Sequence, residues 1–214
     1  MTGGKIMPGR EKAKIDRRYN YTHNVLKDAM LELLHSVDFN QVTVSSLCRQ
    51  ADVGRATFYT HFDNLTDVLE ELIEDAIKTT QKSTARNVVD SVRKASRYLK
   101  TEEGMQELEK NLLILPVCQR VADHPRYNVL FRDAAISDYI LSMIYRQERD
   151  QQVSQLMEEC HMTEQEAEML FVCMISGAFA VNKAMGWKKD RDWMKVQKIL
   201  LTYAAGGIDA LKEL

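Results

Sequence analysis

Glycine and proline are scarce, at 9 and 3 among 214 residues, together about half of what average usage would supply. Their placement excludes more than their number. From Arg10 to Glu103 there is no proline and one glycine, Gly54; from Arg126 to Ser176 there is neither. An all-β chain needs a turn every ~8–12 residues and cannot make them so sparingly. Collagen-like, low-complexity and glycine-rich phosphate-loop architectures fail on the same ground. The expectation is an all-α chain.

Cysteine is also thin. Cys48, Cys118, Cys160 and Cys173 are widely spaced with no C-x-x-C, which fits neither a disulfide framework nor a zinc knuckle and suits reduced thiols in the cytoplasm. The longest nearly apolar run, Met169 to Val181, has 13 residues, short of the ~20 that a membrane span needs; no membrane partner is expected. The N-terminus is charged without an apolar core, so no secretory signal is read there. His124 and His161 have no companion at metal-ligand spacing, and the adjacent Cys160 and His161 cannot comfortably share one ion. No metal and no cofactor is expected. G-x-S-x-G, H-E-x-x-H and P-loop signatures are all missing, so the reading is of a protein that is not an enzyme.

Charge of one sign is lacking overall, the net being −2, but it is unevenly spread. Residues 1–18 hold Lys5, Arg10, Lys12, Lys14, Arg17 and Arg18 against Glu11 and Asp16. A basic, flexible arm over 1–16 thus precedes an acidic helical body.

What is present is helical periodicity. Leu26, Ala29, Met30, Leu33, Leu34 and Val37 predict a first helix over about 22–36 capped by Thr22. A second, of about two turns, follows the cap Thr43 with Val44, Leu47, Cys48 and Ala51 on one face. Asp52, Val53 and Gly54 separate it from a third over 55–62, which buries Phe62 and either Ala56 or Phe58. Asn64 caps a fourth, with Asp67 at its positive end. Residues 78–100 keep a thin apolar stripe opposite a basic, solvated face. Further helices are expected over about 105–122, bent at Pro116, and over 127–133, 137–159, 163–184 and 190–211. The Thr163 to Glu166 capping box starts the next to last.

Two short helices joined by three residues that include the region's sole glycine make a helix-turn-helix, at about 43–62. Their steep crossing needs small contacts, which Cys48 and Ala51 supply from one side and Ala56 from the other. Gly54 either adopts the turn's special backbone or caps the third helix. That helix presents Arg55, suited to two bonds to guanine or one phosphate, and Thr57 and Thr60, whose hydroxyls and methyls suit base edges. Tyr59 and His61 are shaped to donate to phosphate oxygens, contacts that set register without reading sequence. Backbone N–H groups near Thr43 and Val44 form a phosphate cradle. Ala56, with Arg17 and Arg18 directly after the arm, completes the DNA-contacting set.

Residues 16–69 resemble the DNA-binding domain of the tetracycline-repressor (TetR) family of bacterial transcriptional regulators. The carrying residues are Thr22, Ala29 and Leu33-Leu34, then Phe39, Val42-Thr43-Val44 and Leu47, then the run from Ala51 to Phe62 ending in T-F-Y-x-H-F. One position departs: the family usually opens the fourth helix with a lysine that clamps a phosphate, and Leu65 stands there. The resemblance implies a three-helix DNA-binding domain over 17–77 and a helical effector-binding and dimerising body over 78–214. It implies a homodimer on a palindromic double-stranded DNA operator, most simply a repressor released by a small-molecule effector. The alternative from another class is a helical interaction module or co-activator of the same fold that does not itself bind DNA.

The later helices supply means for both remaining tasks. Met169 to Ile175 is apolar on every face, more than a single core requires. Phe171, Gly177, Ala180, Ala184, Trp193, Leu200, Tyr203 and Gly207 are the expected dimer interface. Met105, Leu112, Leu115, Cys118, Tyr127, Phe131, Tyr139, Met143, Cys173 and Trp187 are the expected pocket lining, in a chain whose 11 methionines suit an adaptable, apolar site.

Overall fold

The computed structural model describes residues 9–80, 88–98, 101 and 117–213, and the side chains of these except at 9–18, 88–91 and 95. Among the described residues every regular element is a helix. The expected all-α class is what the chain adopts. The chain divides into two compact units, Met1–Ile73 and Glu74–Leu214.

The N-terminal unit contains α1 (Gly9–Leu34), a 3-10 turn (Phe39–Gln41), α2 (Val44–Gln50), α3 (Arg55–His61) and the first half of α4 (Leu65–Thr80). Both α2 and α3 pack on α1. Leu26, Met30, Leu47, Phe58, Val68 and Leu72 make its core with no solvent exposure. Each contributes on the order of 1.5–3 kcal/mol by leaving water. Two expectations change here. The first helix starts at Gly9, so Thr22 is an interior residue rather than its cap, and Gly9 to Asp16 is helical where a flexible arm was expected. Lysine, arginine and glutamate are good helix formers, and so charged a stretch leaves no apolar periodicity to read. Val37, expected on the buried face, lies beyond the end of α1 and is exposed.

The C-terminal unit holds the rest of α4 with α5 (Val88–Tyr98), α6 (Val117–Asp123), a 3-10 turn (Asn128–Phe131), α7 (Ser137–Cys160), α8 (Glu164–Ala184) and α9 (Arg191–Leu211). The 3-10 turn replaces the helix expected over 127–133. The bend expected at Pro116 lies outside the described residues. Here α7 packs on α8, and α9 on α5, around Val92, Leu156, Ala167, Phe171, Trp193 and Ile208. The α8 capping box forms as expected: Thr163 N–H donates to Glu166 Oε2 at 2.8 Å, and Glu166 N–H to Thr163 Oγ1 at 3.4 Å. The Thr163 N–H, and with it the Thr163 hydroxyl, donates to the Glu166 carboxyl and holds it below its usual range. Arg93 of the basic α5 is paired rather than merely solvated, its Nε donating to Asp209 Oδ1 of α9 at 2.9 Å.

By length and composition α8 would suit a membrane span, which the 13-residue run had not suggested. Its context is that of a helix packed in a protein body. It opens on Glu164, Glu166 and Glu168, and its buried Asn182 accepts from the Trp193 indole N–H at 2.7 Å. Beyond it the chain reverses through two left-handed residues, Gly186 (φ 63°) and Trp187 (φ 58°). Trp187 N–H bonds to Asn182 O and Gly186 N–H to Lys183 O, both at 3.0 Å. This is a Schellman closure of the helix, and it brings the Trp187 ring against Phe131 and Phe179.

Candidate nucleic-acid interface

The turn between α2 and α3 is built by hydrogen bonds. Val53 N–H donates to Cys48 O at 2.9 Å and Asp52 N–H to Arg49 O at 3.3 Å, with Asp52 in the left-handed region at φ 51°. This is again a Schellman closure, with aspartate where glycine is commoner. Gly54 is not the hinge of the turn. It is the N-cap of α3 at φ −67°, ψ 144°, a conformation open to any residue, and a Cβ there would meet only Thr57 Oγ1 at 3.8 Å. Its carbonyl accepts the first helical bond, from Phe58 N–H at 2.9 Å.

At the start of α2, Thr43 is the cap that the sequence predicts. Ser46 N–H donates to Thr43 Oγ1 at 3.0 Å and Thr43 N–H to Ser46 Oγ at 2.9 Å. The Thr43 N–H of the expected phosphate cradle is thus already engaged, and Val44 is half-buried. Asn64 caps α4 as expected: its Oδ1 accepts from Thr66 N–H at 2.7 Å and Asp67 N–H at 3.1 Å. Asp67 in return accepts from Asp63 and Asn64 N–H.

Phe58 turns into the core, and Arg55, Ala56, Thr57, Tyr59 and Thr60 are exposed together on the outer side of α3. Ala56 therefore does not pack against α2. Two small side chains on α2, with Phe58 opposite, suffice for the crossing. The Thr60 hydroxyl donates back to Ala56 O at 2.9 Å, so it faces the outside with its methyl and its lone pairs. Arg17 and Arg18 lie within α1, and their side chains are outside the described set.

His61 is set deeper than Arg55, Ala56, Thr57, Tyr59 and Thr60. Its ring is half-buried beside Tyr19 (4.9 Å between centroids) and His23 (5.1 Å), and Nδ1 is sealed with no hydrogen-bond partner. Burial first, then the neighbouring His23, lower its pKa and favour the neutral imidazole. The ring packs at the end of α3 with Nδ1 turned inward. His23 itself pairs through Nδ1 with Glu71 Oε2 at 2.8 Å, and its buried Nε2 has no hydrogen-bond partner. Sequence reasoning missed this group because it began the first helix after Tyr19. The i, i+4 pair Tyr19 and His23 was the available signal.

In the C-terminal unit the expected pocket residues Cys118, Tyr127, Phe131 and Met143 are buried, and Tyr139 and Trp187 half-buried. Burial pushes the Cys118 thiol up to about 12, so it serves as an apolar group. Cys173 is exposed on α8 and does not belong to that set. Met105, Leu112 and Leu115 lie outside the described residues. Of the expected dimer residues, Phe171 and Trp193 are core of their own protomer, because a helix apolar all round does not reveal which face turns inward. Gly177, Ala180, Ala184, Tyr203 and Gly207 are exposed, and Leu200 half-buried. Among the described residues no group of three histidine, cysteine or carboxylate side chains could hold a metal.

Comparison with known proteins gives this geometry its relatives. Residues 26–72 match the model of the bacterial regulatory proteins of the tetR family, a span that takes in the buried part of α1, the helix-turn-helix and the start of α4. The chain is 37% identical over 115 residues to the HTH-type transcriptional regulator YxbF of Bacillus subtilis (strain 168), itself uncharacterised, an alignment that covers 52% of this chain and 28% of that protein. The chain thus spans less than a third of that relative's length. No solved structure matches. With α3 presented on a Schellman-closed turn in the segment that the model matches, residues 26–72 form a helix-turn-helix segment of the kind found in the tetR family of bacterial regulatory proteins.

Proposed function

We propose that this protein is a DNA-binding transcriptional regulator that works in the cytoplasm as a homodimer on a two-fold operator, and that it represses until a small molecule bound in the C-terminal unit releases it. The observation that carries the reading is the outer side of α3, where Arg55, Ala56, Thr57, Tyr59 and Thr60 are exposed side by side. Exposed Arg, Tyr and Thr on the second helix of such a motif match the chemistry of a major groove, with Arg55 on guanine and hydroxyls on phosphates. Nothing in it requires catalysis.

One helix of seven residues reads few base pairs, and a two-fold pair reads half-sites about one DNA turn apart. Support for the pair comes from α8 and α9. Met169, Val172, Ile199 and Tyr203 are exposed large apolar residues on these helices, with Ile199 at 67% and Tyr203 at 81%. Gly177, Gly206 and Gly207 are helical, and a Cβ at any of them would meet nothing within 4 Å. Each costs about 1 kcal/mol relative to alanine with no return inside the protomer, whereas a second copy pressed against them uses the space. Release then acts as a population shift, limited by the effector's difference in affinity for the two states. The division between the units falls within α4, which makes that helix the covalent route.

A gel shift with the DNA upstream of the protein's own gene tests the reading. Arg55→Ala should weaken specific binding by ~1–3 kcal/mol and relax preference at one base pair. Failure of the wild type to bind any such DNA at low salt would sink it.

A further inference from the structure

The helix α3 has seven residues, Arg55–His61, short of the ~12–15 that a helix needs to hold itself together in water. Its aim is therefore set by what its ends touch. The leading end is fixed by the turn after α2 and by Gly54, and the middle by the buried Phe58. The trailing end is fixed by rings. His23 of α1 lies 4.4 Å from Phe62 and 5.1 Å from His61 between centroids. Tyr19, one turn earlier on α1, lies 4.1 Å from His23 and 4.9 Å from His61. Tyr19, His23 and His61 thus close a triangle in which every pair is near enough for ring–ring attraction.

His23 is anchored from a third element. Glu71 Oε2 of α4 is 2.8 Å from its Nδ1 and 3.8 Å from Lys27 Nζ of α1, so α1 and α4 both bear on the ring against which the end of α3 leans. Tyr19 differs from the rest of the group in exposure: His23 and Phe62 are buried, whereas Tyr19 is 46% exposed. It adds little to the core, and its contact on α3 is the side chain of His61, the neighbour of the exposed Tyr59 and Thr60. Tyr19 and His23 also precede residues 26–72, the span that the family model matches, so the matched segment holds only the α3 side of this brace. We propose that Tyr19 is a positioning residue for α3: its ring, backed by His23, holds His61 and so sets the last turn, from which Tyr59 and Thr60 project. The placement of the His61 ring is a property of the protein alone; its effect on DNA reading rests on the function proposed above. The rival role for a half-exposed tyrosine is a hydroxyl on a phosphate. The two part at Tyr19→Phe, which keeps the ring and loses the hydroxyl.

The test compares the wild type, Tyr19→Phe and Tyr19→Ala as full chains. In gel shifts with the DNA upstream of the protein's own gene, Tyr19→Ala should weaken specific binding about two- to tenfold, the worth of one ring pair, and leave binding to random-sequence DNA unchanged. Tyr19→Phe should bind as the wild type does. In imidazole NMR titrations without DNA, Tyr19→Ala should shift the His61 ring signals and raise their midpoint, because the ring gains water, and Tyr19→Phe should leave both in place. Loss in Tyr19→Phe equal to that in Tyr19→Ala overturns the proposal in favour of a direct hydroxyl contact, and so does equal weakening on random DNA. Unmoved His61 signals, or undiminished specific binding, in Tyr19→Ala overturn it too. A wild type that retards no DNA would defeat the proposed function instead, and the His61 titration alone would then decide whether Tyr19 places that ring.

Discussion

In the N-terminal unit Leu26, Met30, Leu47 and Phe58 meet away from solvent, while Arg55, Thr57 and Tyr59 stand outside. In the C-terminal unit Met169, Val172, Ile199 and Tyr203 stand outside, while Gln119, Gln152, Asn182 and Gln197 are buried. The first pattern is that of a body completed by its own chain, offering polar groups to a polar partner. The second is that of a body with large apolar side chains on its outer helices and amides in its interior. On the function proposed above, recognition of DNA asks the first unit only to hold a helix still, whereas pairing asks the second to leave an apolar face uncovered.

The largest effect that would sharpen this comparison lies in the first unit's core. Phe58→Ala should cost ~3–5 kcal/mol by denaturant unfolding followed through amide exchange in α1 to α3, whereas Tyr59→Ala, one residue on, should stay within about 0.5 kcal/mol and impair only DNA binding. Equal costs would mean that α3 is not divided into core and reading faces. Next comes Ile199→Asp with Tyr203→Asp: sedimentation should show monomer in place of dimer, with helical content retained. A wild type that already sediments as monomer would erase the contrast between the units.

A smaller effect concerns His61. Its folded pKa lies below the unfolded value of ~6.5, so between the two the unfolded chain binds more protons. Stability then rises with pH across that window. The contribution is fully present above ~6.5 and is lost as acid drives the pH down toward the folded pKa. Melting temperatures at falling pH should show this slope in the wild type, and His61→Phe should flatten it; an unchanged slope would show that His61 is not the group that takes up the proton. The smallest effect separates the two turn residues. Gly54→Ala should be near neutral, and Asp52→Ala should cost about 1 kcal/mol for its left-handed backbone. The opposite ranking would restore glycine as the hinge.

The units also differ in how legibly the sequence describes them. In α2 and α3 the caps Thr43 and Asn64, the two-turn length and the buried Phe62 follow from local chemistry, which sequence records directly. The same reading left Gly54 either the turn's special backbone or the cap of α3, and could not choose, because residue type shows where a left-handed backbone is cheap and not where it occurs. Nor did it see the Tyr19, His23 and His61 rings converge, since that depends on how α1 crosses α3. In the C-terminal unit the Thr163 capping box was legible and the inward faces of α8 and α9 were not. Phe171 and Trp193 look as well suited to a partner as Tyr203 does when apolar residues surround a helix.

The reversal after α8 has a consequence for measurement. The chain has two tryptophans: Trp187, turned by its left-handed backbone onto Phe131 and Phe179, and Trp193, bonded to Asn182. Both lie in the C-terminal unit, so indole emission reports on that half of the molecule alone. Adding a compound and adding DNA become two separate optical questions, and an indole response to DNA would be the spectroscopic mark of a signal that has crossed α4.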